Sequence, residues 1–177
     1  EERGLLNLRT TVDALPYFTA EKNLKLFRQH KIFTETEVEA RQAIFYEEYS
    51  KIINIEALTL LDMVNKDIVP AVSAYIRQLS ETVSIKKSIT SELPCETEMS
   101  LISSLSSNCD EMFRKARELE TALATVDDIL TDEASARFFC DTVIPLMTEI
   151  RILADELETN TAAEFWPMPS YGALLFS

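Results

Sequence analysis

The stretch from Thr34 to Lys87 constrains the fold most, because it contains no glycine and only one proline, Pro70. It opens with Thr34 and Glu37, a T-x-x-E pattern in which each side chain can bind the backbone N–H of the other residue and cap a helix. At 1.5 Å per residue, an unbroken helix here would extend on the order of 80 Å. We therefore predict one long helix over about residues 35–87, kinked or broken at Pro70 because the proline ring displaces the preceding turn.

The scarcity of glycine extends to the whole chain. Of 177 residues only 2 are glycine, Gly4 and Gly172. A β-sheet protein of this size needs many turns, and turns depend on glycine. With 46% hydrophobic residues, the chain can still bury the core of one domain. We predict an all-α fold, an elongated antiparallel bundle of three long, coiled-coil-like helices joined by short connections.

The apolar residues of the first long helix recur mostly at steps of three and four, which indicates one buried face. These positions are Val38, Phe45, Tyr49, Ile52, Ile53, Leu60, Leu61, Val64, Ile68, Val72, Tyr75, Ile76, Leu79 and Val83. Glu56 and Asp62 interrupt the series. The spacing of Asp62 and Lys66 is that of a surface ion pair, so a solvated position is favoured over a buried polar role.

We predict a second long helix over about residues 96–129 and a third over about 132–161. The second has heptad spacing, typical of helices that supercoil against a neighbour, at Leu105, Cys109, Met112, Ala116, Leu119, Leu123, Val126 and Leu130. Thr131 is the expected cap of the third helix, and Pro145 should kink it. Its apolar positions are Cys140, Val143, Met147, Ile150, Ala154, Leu157 and Thr161.

Residues 1–33 are predicted to form an N-terminal arm. Pro16 argues against a regular helix in the apolar segment around it. Thr19 is the expected cap of a short helix that ends near Gln29. Since no glycine follows that helix, we expect Lys31 to take a left-handed conformation at a cost of about 1 kcal/mol.

The two ends of the chain carry the candidate docking residues. Residues 164–177 form a tail rich in aromatic residues and proline, unlike the polar termini that usually fray. We divide the chain into the arm, a bundle over 34–163 and this tail, as one domain that is a piece of a longer protein. The residues expected to dock, either on the bundle or on a neighbouring domain or subunit, are Leu15, Pro16, Tyr17, Phe18, Phe165, Trp166, Pro167, Tyr171, Leu174, Leu175 and Phe176.

Charge and cysteine content narrow the class of protein. The formal net charge of −13 argues against a nucleic-acid partner, because phosphate binding needs a basic face. No apolar run approaches the twenty residues of a membrane span, and no signal-peptide pattern opens the sequence. The widely spaced Cys95, Cys109 and Cys140 fit neither a disulfide framework nor a zinc site. Together these features predict a protein of the reducing cytoplasm.

The residues by themselves predict no catalytic, cofactor-binding or metal site in this segment. A di-iron site in a helical bundle needs two E-x-x-H motifs, and the sequence has 1 histidine, His30, expected at the surface or in a helix cap. Two glycines near the ends cannot build a glycine-rich phosphate loop. The adjacent carboxylates at 127–128 and 155–156 are better explained as solubilising or capping residues of helix ends than as acid–base groups.

Several stretches have an unusual composition: residues 9–16 (RTTVDALP), 33–37 (FTETE), 53–59 (INIEALT), 62–63 and 166–177 (WPMPSYGALLFS). They resemble the C-terminal region of type III glutamine synthetases, and the resemblance spans nearly the whole chain. Lys31 stands where that family would have glycine, and Met168 where it would have an aromatic residue.

The resemblance implies a large bacterial cytoplasmic ligase that joins ammonia to glutamate with ATP through γ-glutamyl phosphate. Such an enzyme would use Mg²⁺ or Mn²⁺ and assemble as stacked hexameric rings. The resemblance assigns the metal, ATP and glutamate sites to a β-rich catalytic core upstream, so no catalytic residue is carried over to this segment.

The leading hypothesis is therefore a non-catalytic accessory or assembly domain, inactive by itself, that contacts this core and neighbouring subunits of a homo-oligomer. One alternative is a stand-alone helical module that binds a partner through its acidic faces. Another is a purely structural bundle without a partner.

Overall fold

The computed structural model describes residues 4, 6–169 and 171–175, without the side chains of three of them, at positions 127, 171 and 173. This part of the chain contains helices and no strand, which confirms the all-α prediction. The helices are α1 (Thr11–Phe18), α2 (Glu21–Gln29), α3 (Glu35–Met63), α4 (Val69–Ile89), α5 (Glu96–Ala124), α6 (Asp132–Phe138), α7 (Ile144–Asn160) and α8 (Tyr171–Leu175).

A π turn precedes each of the two prolines, Pro70 and Pro145, at which a kink or break is predicted. The segment Val64–Ile68 joins α3 to α4, and Phe139–Val143 joins α6 to α7. In each case an N–H reaches five residues back, from Val69 to the Val64 carbonyl and from Ile144 to the Phe139 carbonyl. Each proline therefore follows a widened turn, which accommodates the carbonyl that its ring would otherwise meet. The backbone stays helical through both sites.

The buried face of α3 and α4 is largely as predicted. Val38, Val64, Ile68 and Val72 are almost fully buried, and Glu56 and Asp62 are exposed as expected. The prediction is wrong for Phe45 and Ile52, which are exposed, and it missed two buried residues, Tyr46 and Ala57. At roughly 100° per residue, Phe45 and Ile52 point in nearly the same direction and lie about 100–120° from Tyr46, so they flank the buried side of the helix without facing the core.

The heptad pattern of α5 is confirmed over its first five positions. Leu105, Cys109, Met112, Ala116 and Leu119 are all buried. The helix then ends earlier than predicted, at Ala124, where the Thr125 hydroxyl donates to the Ala122 carbonyl (2.7 Å) and a short 3-10 helix, Val126–Asp128, follows. Leu130 consequently lies outside any helix and is 98% exposed, so its predicted core position is wrong.

The caps of the long helices are confirmed. The Glu37 carboxylate accepts from the Thr34 N–H (2.7 Å), and the Thr34 hydroxyl accepts from the Glu37 N–H (3.4 Å). The Thr131 hydroxyl accepts from the Ala134 N–H (3.2 Å) at the start of α6. Both threonines thus satisfy N–H groups that the first helical turn leaves unpaired.

The arm is more helical than predicted. Pro16 lies inside α1, because this helix of 8 residues loses only the one hydrogen bond that Pro16 cannot donate. The α1 cap is Thr10, whose hydroxyl accepts from the Asp13 N–H (3.0 Å). Thr19 does not cap α2 as predicted; it closes α1 and its hydroxyl donates to the Pro16 carbonyl (3.3 Å).

Lys31 adopts the predicted left-handed conformation, with φ of 52°. The Ile32 N–H bonds the Phe27 carbonyl (3.0 Å) and the Lys31 N–H bonds the Arg28 carbonyl (3.2 Å). These two bonds form a Schellman motif at the end of α2, in which glycine is the usual left-handed residue.

Replacing Lys31 by glycine should raise the free energy of unfolding by about 0.5–1 kcal/mol. Glycine removes the Cβ clash of the left-handed conformation, which outweighs its larger loss of backbone entropy on folding. Urea denaturation of the 177-residue chain would measure the change. Lys25→Gly, at an exposed position inside α2, should instead lose about 1 kcal/mol. A loss of similar size at both positions would contradict the prediction.

The chain divides into two compact units, each made of segments distant in sequence. Unit 1 comprises Glu1–Ala57 and Thr121–Pro145, and unit 2 comprises Leu58–Glu120 and Leu146–Ser177. Within unit 2, α5 and α7 run antiparallel, since Asn108 donates to Glu156 (3.0 Å) and Lys115 pairs with Glu149 (2.6 Å). The division into arm, bundle and tail stays a prediction.

Candidate functional site

The arm is anchored to unit 1 through α1. Leu15 is buried in a cluster with Val12, Tyr46 and Ala136. The amide nitrogen of Gln42, from α3, donates to the Leu15 carbonyl (2.7 Å) and to the Thr19 hydroxyl (3.1 Å). Leu15 therefore serves the core of its own unit, and the neighbouring Pro16 and Tyr17 remain exposed.

Four rings connect α1, α2 and α3. This phenylalanine cluster consists of Phe18, Phe27, Phe33 and Phe45, which meet edge to face with centroids 5.7–5.8 Å apart. The Arg41 guanidinium lies over the Phe33 ring, 4.5 Å from its centroid. Such contacts add stabilisation beyond the area they bury. The predicted docking residue Phe18 is thus half-buried in contacts within unit 1.

An ion pair links α1 to α6. The Arg137 guanidinium lies 2.9 Å from the Asp13 carboxylate. Its hydrogen bond lowers the pKa of Asp13, and the bond from Thr10 lowers it further. Elsewhere hydrogen bonds lower the pKa of Glu37, through the Thr34 N–H, and the pKa of Glu98, through Lys86. These carboxylates stabilise the fold in their ionised form.

Acid should therefore weaken the fold. A carboxyl group whose pKa is lower in the folded state contributes its full stabilisation above its unfolded pKa, near pH 4, and loses it as the pH falls through the folded value. We expect the melting temperature to fall between about pH 4.5 and pH 2.5, measured by circular dichroism. Asp13→Asn should melt at a temperature that depends less on pH in this range. An unchanged pH dependence would contradict the role of Asp13.

The tail packs on unit 2 through its first residues. The Phe165 ring lies against Tyr75, with centroids 5.3 Å apart. Trp166 is half-buried, and its indole nitrogen is enclosed without a hydrogen-bond partner among the described residues. Pro167 is exposed. Phe165 and Trp166 are therefore engaged within their own unit.

Two leucines near the end of the tail have exposed side chains. Leu174 and Leu175, in α8, are 60% and 74% exposed. The side chain of Tyr171 and the whole of Phe176 lie outside the described residues. Of the predicted docking set, Pro16, Tyr17, Pro167, Leu174 and Leu175 present exposed side chains. Their docking stays a prediction.

Comparison with known proteins identifies the family. A family model described as the glutamine synthetase C-terminal domain matches residues 1–87. Over 176 residues the chain is 34% identical to a glutamine synthetase of Butyrivibrio fibrisolvens, and over 180 residues 33% identical to a type-3 glutamine synthetase of Dictyostelium discoideum. The chain belongs to the glutamine synthetase C-terminal domain family. A glutamine synthetase of Bacteroides fragilis strain YCH46 is 29% identical over 179 residues.

Each of these three matches covers 99% of this chain but only 24–25% of the relative. The chain therefore spans about a quarter of the length of the curated relatives it matches. The family model, over residues 1–87, covers α1, α2, α3 and most of α4. The resemblance seen in the sequence is thus confirmed.

Among the described residues, the side chains considered as candidate metal ligands or acid–base groups do not form a cluster. Within residues 4, 6–169 and 171–175, no group of three His, Cys, Asp or Glu side chains is placed to hold a metal ion. His30 is exposed and closes α2, in agreement with the sequence prediction. Asp155 and Asp128 are exposed, and Glu156 accepts from Asn108. No helix in the described part of the chain is long and apolar enough to cross a membrane.

The three thiols are free, and two of them are buried. Burial raises the pKa of Cys109, which disfavours the reactive thiolate. Cys140 is half-buried beside Tyr49, where burial of the phenol and its hydrogen bond to Cys140 raise the pKa of Tyr49 to about 12. Cys109 thus serves as a buried apolar side chain, and the Tyr49 phenol stays protonated at neutral pH.

The sequence analysis did not predict the polar contacts that connect the arm to the rest of unit 1. Asp13 and Arg137 are 124 positions apart, and no local pattern relates two residues at that distance. The sequence does not indicate the hydrogen bonds of Gln42 to the arm either, because a glutamine within a helix is usually solvated. Thr10 and Asp13, in contrast, form a T-x-x-D pattern that resembles a capping box and would have marked the start of α1.

Proposed function

We propose that this chain is the C-terminal accessory and assembly domain of a longer type III glutamine synthetase. The observation that carries the proposal is the alignment of 99% of the chain with a quarter of enzymes named glutamine synthetase. The longer enzyme would ligate ammonia to glutamate in the cytoplasm, with ATP and through γ-glutamyl phosphate. Mg²⁺ or Mn²⁺ would be bound by the rest of that enzyme.

In this proposal, the carboxylates of the segment stabilise its fold and take no part in catalysis. On α5, Arg114 pairs with Glu111 and Glu118, and Lys115 bridges Glu118 and Glu149. Hydrogen bonds of this kind lower the pKa of Glu111, which keeps it ionised. Glu111, Glu118 and Glu149 are thus engaged within the segment, so they are not free acidic groups of the kind that an acidic interaction module would offer to a partner.

The exposed apolar residues support a role in assembly. Tyr17, Leu174 and Leu175 expose large apolar side chains at the two ends of the chain. Contact with the catalytic part, or with a neighbouring subunit of a homo-oligomer such as stacked hexameric rings, would remove this surface from water.

Truncation of the longer enzyme after Thr161 tests the proposal. We expect smaller particles by light scattering and at least tenfold slower glutamine formation from glutamate, ammonia and ATP. The double variant Leu174→Ser/Leu175→Ser should show the same defects to a smaller extent. An intact oligomer with normal turnover would contradict the assembly role. Glutamine formation by the 177-residue chain alone would contradict its non-catalytic role.

A further inference from the structure

Several exposed cations near the start of the chain have no partner among the described residues. Neither a carboxylate nor an aromatic ring of that part of the chain contacts the side chains of Arg9, Lys22, Lys25 and Lys31. Every other lysine and arginine in the described part contacts a carboxylate, a backbone carbonyl or an aromatic ring. In a chain with a formal net charge of −13, the unpaired cations among the described residues are thus confined to residues 9–31.

Helix α2 presents part of this charge on one outward surface. At roughly 100° per residue, Lys22, Lys25 and Gln29 point within about 60° of one another. Leu26, which is 49% exposed, lies about 40° from Lys22. Glu21, at the edge of this surface, is in the first turn, where its charge faces the positive end of the helix dipole. We call the surface formed by Lys22, Lys25, Leu26 and Gln29 the cationic face. The half-buried residues of the helix point the other way: Asn23, Leu24 and Phe27.

The loop between α5 and α6 carries the opposite charge on either side of an apolar residue. Leu130 is 98% exposed. The carboxylates that flank it in sequence are exposed and have no ion-pair partner in the described part of the chain: Asp128, Asp132 and Glu133. Leu130 directly precedes the cap of α6, but the helical residue against which a hydrophobic staple would pack it is Ser135. The following helix therefore offers Leu130 no apolar contact. We call residues 128–133 the acidic loop.

The cationic face and the acidic loop lie apart on unit 1. The ion pair of Arg28 and Glu35 (2.9 Å) joins α2 to the start of α3. In contrast, α6 packs near Tyr46 through Ala136. Glu35 and Tyr46 are separated by roughly 16 Å along the helix. Among the described residues, no carboxylate of the acidic loop pairs with the cationic face, so both surfaces of one copy remain available.

We propose that the cationic face binds the acidic loop of a second copy of this chain. In this contact Leu130 packs against Leu26, and the loop carboxylates lie beside Lys22 and Lys25. Every copy carries both surfaces, so the contact can repeat around a closed ring or occur twice across a two-fold axis. The contact gives the assembly role of the proposed function, on which it rests, a defined pair of surfaces.

Burial of the two leucines supplies the affinity of this contact, and the charges select the partner. Apolar surface that leaves water stabilises a complex in proportion to its area, whereas ion pairs at an exposed rim contribute little. The rim charges instead favour the correct orientation and disfavour surfaces of like charge. At physiological ionic strength, charges more than about 8 Å apart are largely screened, so the local match counts for more than the repulsion between two acidic copies.

Cross-linking between copies of the longer enzyme tests the inference. Two singly substituted chains are co-expressed, the first with Leu26→Cys and the second with Leu130→Cys, and treated with a short bifunctional thiol reagent. A product that joins positions 26 and 130, identified by mass spectrometry, can form only between copies. We expect its yield to be at least fivefold above that from Leu26→Cys with Ile152→Cys, since Ile152 is 54% exposed but lies in α7, outside the acidic loop. Equal yields, or products that join position 26 only to the catalytic part, would overturn the inference.

Exchanging the charges tests their role in the contact. Lys22→Glu/Lys25→Glu in the first chain should lower the yield at least fivefold, because the face then carries the same charge as the loop. Adding Asp128→Lys/Asp132→Lys to the second chain should restore the yield, which a merely structural effect of either change would not do. A yield that the second exchange leaves low would overturn the pairing of these two surfaces.

Lys66→Glu/Arg77→Glu in the first chain provides the matched control. It changes the net charge by the same amount but lies in unit 2, so the yield should stay unchanged. A similar loss would attribute the effect to net charge and overturn the proposed contact. Glutamine formation is measured on the longer enzyme without substitutions. Its absence would overturn the proposed function, whereas the cross-links would still show whether the two surfaces meet.

Discussion

Replacing Phe139 by alanine should lower the free energy of unfolding by about 3–5 kcal/mol, the typical cost of removing a fully buried phenylalanine ring. Phe139 is the largest of the fully buried side chains in the described part of the chain. It also opens the π turn Phe139–Val143, where the Ile144 N–H bonds its carbonyl. Because this backbone is held in place, the surroundings should relax little and a cavity should remain. Urea denaturation followed by circular dichroism measures the change.

The neighbouring Phe138 provides the control. Its ring meets the Phe139 ring edge to face, with centroids 6.5 Å apart, but the residue is only half-buried. We expect Phe138→Ala to cost about 1–2 kcal/mol, since it removes less buried surface. Phe139→Leu, which leaves a smaller cavity, should fall between the two. Equal losses for Phe138→Ala and Phe139→Ala would contradict the assignment of Phe139 to the core of unit 1.

Replacing Met112 by alanine should lower the free energy of unfolding by about 2–5 kcal/mol. Met112 has no exposed surface and lies at the middle of the five buried heptad positions of α5 in unit 2. The adjacent Phe113 has a larger side chain but is 40% exposed, with the Arg117 guanidinium over its ring. Phe113→Ala should therefore cost less, about 1 kcal/mol. A larger loss at Phe113 than at Met112 would contradict the heptad assignment.

Local signals in the sequence predict the local structure well. The cap formed by Thr34 and Glu37 depends on residues three positions apart, so the sequence pattern includes both residues that make the hydrogen bonds of the cap. The left-handed Lys31 follows from the lack of glycine after α2. The heptad pattern predicts the buried side of α5, but it cannot show that the helix ends at Ala124, because Val126 and Leu130 continue the same spacing.

Two features could not be predicted from local patterns. Pro70 and Pro145 predict an irregularity in their helices. The local sequence does not show whether the helix breaks or widens into a π turn, because that depends on how the flanking segments pack. The docking set was similarly chosen by apolar character alone. Leu15 and Phe165 turned out to pack within their own units, because burial depends on distant partners such as Tyr46 and Tyr75. The same holds for Ile52, whose spacing predicts a core position although its side chain is 55% exposed.

The two polar contacts between α5 and α7 determine how these helices align along their length. Asn108 and Lys115 are seven residues apart on α5, and their partners Glu156 and Glu149 are seven residues apart on α7. A slip of one heptad in either direction preserves the apolar contacts but retains only one matched polar pair. One slip would place Asn108 beside Glu149, and the other would place Lys115 beside Glu156. The native register is thus the one that satisfies both pairs, a selection that the repeating apolar residues cannot make.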